Sequence, residues 1–85
     1  MSPEEKFEDA QKRVNAVSNA PSQDKLLELY GLYKQAKVGD AGGKRPGMLD
    51  IKGRAKYDAW AVRKGMSSQD AMAAYVALVD RLTGN

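Results

Sequence analysis

Apolar side chains recur along this chain with the period of helices, and no stretch shows the alternation of strands. Phe7, Ala10, Val14 and Val17 follow one another at steps of three, four and three, which predicts one buried face of a helix from near Pro3 to near Ser18. Ser2-Pro3-Glu4-Glu5 supplies its start, with a capping hydroxyl, proline at the first helical position and a glutamate three residues after the cap. Asn19-Ala20-Pro21 breaks the pattern. Ser22 then caps a second helix whose apolar set is Leu26, Leu27, Leu29, Tyr30, Leu32, Tyr33 and Ala36. That set is wider than one stripe, so this helix is expected to make contacts on more than one side before Gly39 closes it.

Residues 39–49, GDAGGKRPGML, hold four glycines and one proline in a connection longer than an antiparallel helical hairpin requires. The third helix therefore need not run antiparallel to the second. Asp50 is its expected cap, Ile51, Ala55, Ala59 and Trp60 are spaced for burial, and Gly65 ends it after Lys64. Ser67-Ser68-Gln69-Asp70 starts a fourth helix whose apolar face is Ala71, Ala74, Tyr75, Leu78 and Leu82, before Thr83-Gly84-Asn85. The fold class predicted is all-α: one domain over residues 1–85, a four-helix bundle with a long loop between helices 2 and 3.

Composition agrees with a folded chain of large wet surface: 42% hydrophobic and 29% charged residues, with a mean hydropathy of −0.60. Cysteine and histidine are both absent, so helix packing must supply the stability that disulfides or metals give many small domains. The N-terminal MSPEEKFEDA has neither a basic region nor an apolar run, and nothing approaches a membrane span, so a cytoplasmic protein without stable membrane insertion is the expectation. Charge is uneven. Residues 1–33 carry a net −2, residues 34–64 a net +6 and residues 65–85 a net −1. A basic centre between acidic or neutral flanks suits an anionic partner held at one place, and equally a solvated surface.

Without histidine or cysteine the usual general base, thiol nucleophile and soft metal ligands are missing, so no catalytic residue, metal site or cofactor is expected and the chain is not predicted to be an enzyme. Glu4, Glu5, Glu8 and Asp9 cluster in the first turns of a helix, where carboxylates favour the positive end of the dipole. Gly39 to Lys44 lacks the spacing, the Ser or Thr and the preceding strand of a Walker-type phosphate loop. Tyr30, Tyr33 and Lys34 are more informative, because their spacing puts two phenol rings and an ammonium side by side. Such a patch suits an aromatic base beside a phosphate, and tyrosines at this spacing also suit a core with a wet edge. Lys52 and Lys56, one turn apart, share that ambiguity.

The stretches YGLYKQAKVGD (Tyr30 to Asp40), RPGMLD (Arg45 to Asp50), GRAKYDAW (Gly53 to Trp60) and GMSSQDAMAAYVALV (Gly65 to Val79) resemble the acyl-CoA-binding protein family in order and spacing. The resemblance runs from Phe7 to Leu82, and YKQA-x-VGD followed by RPG and K-x-x-DAW is its most specific part. It implies an up-down-down-up order of the four helices. It also implies that Tyr30, Lys34 and Lys56 hold the 3′-phosphate of coenzyme A, that Tyr33 stacks on the adenine and that Tyr75 contacts the nucleotide end. Lys52 would add charge at the rim. Leu26 and Leu27 would border the acyl chain, with Phe7 and Ala10 of the first helix completing that groove near the head group. The chain departs from the family at Asn15, where many relatives carry a basic residue, and at Tyr57, where tryptophan is common.

The function so implied is reversible, non-catalytic binding, buffering and intracellular transport of long-chain fatty acyl-CoA, by a monomer in passing contact with acyl-CoA-using enzymes. Two other readings compete on composition and pattern. One is a basic helical nucleic-acid-binding module, although no helix clusters the arginines and asparagines of a recognition helix and the glycine-rich loop interrupts the basic run. The other is a bundle whose apolar groove takes a partner helix.

Overall fold

The computed structural model describes residues 1–84; Asn85, expected in the tail after the last helix, lies outside the described residues. Four helices make up its regular structure: α1 (Pro3–Asn15), α2 (Gln23–Lys37), α3 (Ile51–Ala61) and α4 (Ser68–Thr83). Each start is capped by a residue the sequence marked. Ser2 and Glu5 form a reciprocal capping box, Ser22 accepts from the Lys25 N–H, Asp50 from that of Gly53 and Ser67 from that of Asp70.

Directions follow from which ends touch. Arg13, in the last turn of α1, pairs with Asp80 near the end of α4 at 2.9 Å, while Pro3 and Lys6 border a groove with Met72 and Ala73 near its start. α1 and α4 are therefore parallel. The Ser68 hydroxyl at the start of α4 donates to the Ala36 carbonyl at the end of α2, so these two helices are antiparallel. Leu27 faces Ile51 near the starts of α2 and α3, and Lys34 faces Trp60 near their ends, so α2 and α3 are parallel. The order is up-down-down-up.

A parallel α2/α3 pair explains the long connection. α2 has 15 residues and a length of roughly 22 Å at ~1.5 Å per residue, and the chain must travel back along all of it before α3 can begin. α3 holds the returning loop through three side chains. Trp60 Nε1 donates to the Gly39 carbonyl at 2.7 Å, Tyr57 Oη to the Gly43 carbonyl at 3.3 Å, and the Arg45 guanidinium makes two bonds of 2.8 and 2.6 Å to the Asp58 carboxylate.

The core lies between α1, α2 and α4. Phe7, Ala10, Leu29, Leu32, Ala71, Met72, Tyr75, Leu78 and Val79 are its buried apolar members. α4 packs on both α1 and α2, which is why Met72 and Val79 join the narrower face expected for it. α3 differs from the expectation of a buried stripe. It packs only on α2 and the loop, so none of its residues is buried, Ala55, Ala59 and Trp60 are half-buried, and Ile51 is 77% exposed. Two helix ends also come earlier than the pattern suggested. α1 stops at Asn15, where the Ala16 N–H turns back to the Arg13 carbonyl. α3 stops at Ala61, and i→i+3 bonds from Arg63, Lys64 and Met66 tighten the chain toward Gly65, whose φ of 90° ends the turn.

Gln35 is the one buried polar residue among those described. Its Nε2 donates to Asp40 Oδ1 at 2.9 Å and to the Met66 carbonyl at 2.8 Å, and the Gly65 N–H donates to the same Asp40 oxygen at 2.8 Å. Gln35→Ala leaves a cavity and unpairs these groups, so it is expected to lower unfolding free energy by about 2–4 kcal/mol in urea denaturation. The Gly65 N–H, then the Gln35 amide and the Lys64 charge, hold the Asp40 carboxyl below the usual carboxylate range, with burial opposing them in part. A carboxyl depressed in the folded state contributes stability above its unfolded pKa of about 4 and loses it as pH falls through the folded value. Stability should therefore drop on acidification below about pH 4, and Asp40→Asn should flatten part of that drop in pH-dependent melts; Asp58 beside Arg45 and Glu5 in its capping box account for further parts.

Candidate ligand-binding site

Helical geometry gives α2 two working faces. Leu29, Leu32, Tyr33 and Ala36 turn toward the core, while Leu27, Tyr30, Gly31 and Lys34, at steps of three, one and three, turn toward α3. Gly31 sets how closely the second face can approach. It is buried, and a Cβ placed there would collide with the carbonyl of Ala59 on α3. Absence of a side chain at this one position allows the two helices to meet backbone to backbone.

Two lysines cross that seam in opposite directions. Lys34 on α2 places its ammonium 4.9 Å from the centre of the Trp60 ring on α3, and Lys56 on α3 places its own 5.5 Å from the Tyr30 ring on α2. Neither takes part in any of the ion pairs among the described residues, nor does Lys52. Three ammonium groups therefore stand along the seam without a carboxylate to neutralise them. Toward the starts of the helices the seam opens into a cleft of about 440 Å³ lined by Gln23, Leu27, Ile51, Lys52, Ala55 and Lys56. Its volume lies within the ~300–1,000 Å³ of ordinary small-molecule sites. Lys56 belongs both to the cleft wall and to the Tyr30 pair, so charge and apolar lining meet at that residue.

Tyr33 stands on the other side of Tyr30. It is half-buried, with its ring 6.0 Å from that of Phe7, which in turn meets the Tyr75 ring edge-on at 5.0 Å. Burial, and then the neighbouring Tyr33, push the Tyr75 phenol up. A tyrosine so placed is neutral at physiological pH and offers a hydrogen bond rather than a charge.

Among the residues the sequence singled out, the structure brings Tyr30, Lys34, Lys52, Lys56 and Leu27 together along the seam. Leu26 lies beside it, 43% exposed and outside the cleft wall. Phe7, Ala10 and Tyr75, expected at the ligand, lie in the core at 3%, 0% and 5% exposure, because α1, which carries the first two, packs on α4, and α4, which carries Tyr75, packs on both α1 and α2. Phe7 reaches the surface patch only through Tyr33, whose ring it supports. Sequence reasoning missed Gly31, Gln23, and the parts of Ile51, Ala55 and Trp60. One signal was available: Ile51 and Ala55 stand one turn apart beside Lys52 and Lys56, which marks an apolar stripe edged by charge rather than a buried one.

Cationic and aromatic groups above an open apolar cleft equip an all-helical binding domain. The chain belongs to the acyl-CoA-binding protein family: the family model described as acyl CoA binding protein matches residues 4–79. It is 49% identical over 83 residues to an acyl-CoA-binding protein homolog of Manduca sexta, covering 96% of this chain and 92% of that one. It is 51% identical over 76 residues to an acyl-CoA-binding protein of Saccharomyces cerevisiae, covering 89% and 87%. The crystal structure of Oryza sativa acyl-CoA-binding protein 2 superposes with a TM-score of 0.91 at 39% identity, over 96% of this chain and 89% of that one.

The close approach at Gly31 yields a direct test. Gly31→Ala must push α3 away from α2, with an expected loss of about 1–3 kcal/mol of stability from overpacking. Fluorescence of Trp60, the single tryptophan, should change as Lys34 and the Gly39 carbonyl lose their places beside it. Wild-type emission together with wild-type stability would contradict this account of the seam.

Proposed function

We propose that this protein binds long-chain fatty acyl-CoA thioesters reversibly, buffers them and carries them between enzymes, without making or breaking a bond. The observation that carries this reading is the α2/α3 seam, where unneutralised ammonium groups held over aromatic rings lead directly into an apolar cleft. Acyl-CoA has the same order of parts, a polyanionic aromatic head and an alkyl tail. In this reading Tyr30, Lys34 and Lys56 receive the 3′-phosphate, Tyr33 offers its supported ring to the adenine, and Tyr75 contributes at most its hydroxyl edge. Lys52 adds charge at the rim, Leu27 with Ile51 and Ala55 receives the tail, and Leu26 borders it from outside. Phe7 and Ala10 act from beneath, as the floor that holds Tyr33 in place.

Magnitudes divide the labour. Burial of each methylene is worth up to ~0.8 kcal/mol, so a twelve-carbon tail offers on the order of 9 kcal/mol before ordering costs, whereas surface phosphate contacts are partly screened by salt. The tail should set affinity, and the head group should set selectivity. Membership of the family and the names of its relatives support the ligand class. No helix among the described residues is long and apolar enough to cross a membrane, which agrees with a carrier that is not anchored by a span.

Calorimetric titration tests the reading. Palmitoyl-CoA should bind far more tightly than either coenzyme A or palmitate, and equal affinity for palmitate and palmitoyl-CoA would overturn it. Lys34→Ala and Lys56→Ala should each weaken palmitoyl-CoA binding roughly ten- to hundredfold, as expected for loss of a charged hydrogen bond of about 1.5–3 kcal/mol, while leaving the fold nearly unchanged. The same variants should lose little affinity for the 3′-dephospho ligand. An equal loss for both ligands would show that these lysines do not read the 3′-phosphate.

A further inference from the structure

The loop between α2 and α3 ends in a tight turn whose composition its local chemistry does not explain. The Asp50 N–H donates to the Gly47 carbonyl at 3.0 Å and closes a four-residue turn with Met48 and Leu49 at its centre. Glycine, asparagine, aspartate and serine ordinarily fill such positions, because they tolerate the backbone or bond to it. Here two large apolar side chains occupy the tip, 82% and 100% exposed, and Ile51 follows at 77%. Met48 and Leu49 do not line the cleft, but they precede by three and two residues Ile51, which does.

Cations flank this tip along the chain. Lys44, Lys52 and Lys56 are exposed and enter no ion pair among the described residues. Asp50 is the single acidic residue from 44 to 56, and its carboxylate is occupied in capping α3, with Oδ1 accepting from the Gly53 N–H at 3.0 Å. Arg45 is already bound to Asp58. What stays available is three ammonium groups without a carboxylate partner, Lys56 resting by the Tyr30 ring, on either side in sequence of an exposed apolar tip. A two-residue tip offers no groove for a partner helix, and point charges on long stems suit a diffuse anionic surface better than a fixed bidentate partner. Adsorption to a bilayer needs this pair of signals, a few apolar side chains at the acyl boundary and a basic patch at the headgroups.

We propose that the Gly47–Asp50 turn is a docking element for anionic lipid bilayers, which seats Met48 and Leu49 among the headgroups and brings the mouth of the cleft to the membrane surface. The inference deepens the proposed function, on which it rests to the extent that it names the bilayer as the place where acyl-CoA is taken up or released. Docking itself requires no ligand. Lys52 and Lys56 then serve both the membrane and the bound head group, so a molecule loaded with an anionic ligand should adhere less well than an empty one, and loading would favour departure.

Co-sedimentation of the ligand-free protein with phosphatidylglycerol–phosphatidylcholine vesicles and with pure phosphatidylcholine vesicles tests the proposal, beside calorimetry with palmitoyl-CoA in vesicle-free solution. Wild type should bind the anionic vesicles, lose that binding as salt rises, and ignore the neutral ones. The double substitution Met48→Ser with Leu49→Ser should reduce vesicle binding about tenfold or more, since two side chains no longer leave water, with thermal stability and solution affinity for palmitoyl-CoA unchanged. Absence of wild-type binding to anionic vesicles, or retention of it by the double variant, would overturn the proposal. A matching loss of solution affinity would assign the tip to the ligand site and overturn it too. Self-association of wild type abolished by the double substitution, without vesicle binding, would assign the tip to a second copy of the chain. Vesicle binding without acyl-CoA binding would instead defeat the proposed function while leaving the docking element in place.

Discussion

The amide of Gln35 occupies a position from which three separate stretches of chain take their places. Its nitrogen bonds the carboxylate that opens the long loop and the carbonyl that closes the α3–α4 turn, while its own backbone sits two residues from the end of α2. Asp40 then accepts from the Gly65 N–H, so both connections are fastened to one buried point. An amide suits this role better than a charged group, because it can be held at 1% exposure without the desolvation cost of an ion. With the two turns so joined, the end of α3 is fastened beside the end of α2, where Lys34 meets Trp60. The Lys34–Trp60 pair thus stands next to a hydrogen-bonded junction that touches neither residue.

Most of the fold was legible from local pattern. All four helix starts carry an oxygen-bearing cap, and the structure uses each one. Helix ends were less legible, since α1 and α3 close in local i→i+3 turns while the apolar pattern of α1 runs on to Val17 and the stop signal of α3 stands only at Gly65. The burial of α3 was misread for a related reason. Ile51, Ala55, Ala59 and Trp60 have the spacing of a core stripe, but spacing states only that they share a face, and that face meets α2 at one end and open solvent at the other.

The candidate site divides along the same line. Tyr30 and Lys34 could be placed side by side because one helix carries both. That Lys56 would cross to Tyr30, and Lys34 to Trp60, depends on the parallel order of α2 and α3 and on a glycine at position 31, which no periodicity reveals. Phe7, Ala10 and Tyr75 show the converse. Their burial follows from the packing of α1 on α4 and of α4 on α2, which spacing within one helix does not reveal.

Because α3 buries none of its own residues, it contributes little to the cooperative core and is held by its packing on α2 at Gly31 and by a few bonds to the loop: the half-buried tryptophan to Gly39, the tyrosine to Gly43 and the Arg45–Asp58 pair. Segments with few buried apolar contacts open at a free energy below that of global unfolding. Amide hydrogens of α3 and its loop are therefore expected to exchange through a sub-global opening that leaves α1, α2 and α4 intact. A molecule seated across the seam closes that opening by mass action, so its binding free energy is read out first as slowed exchange in a helix that the core does not hold.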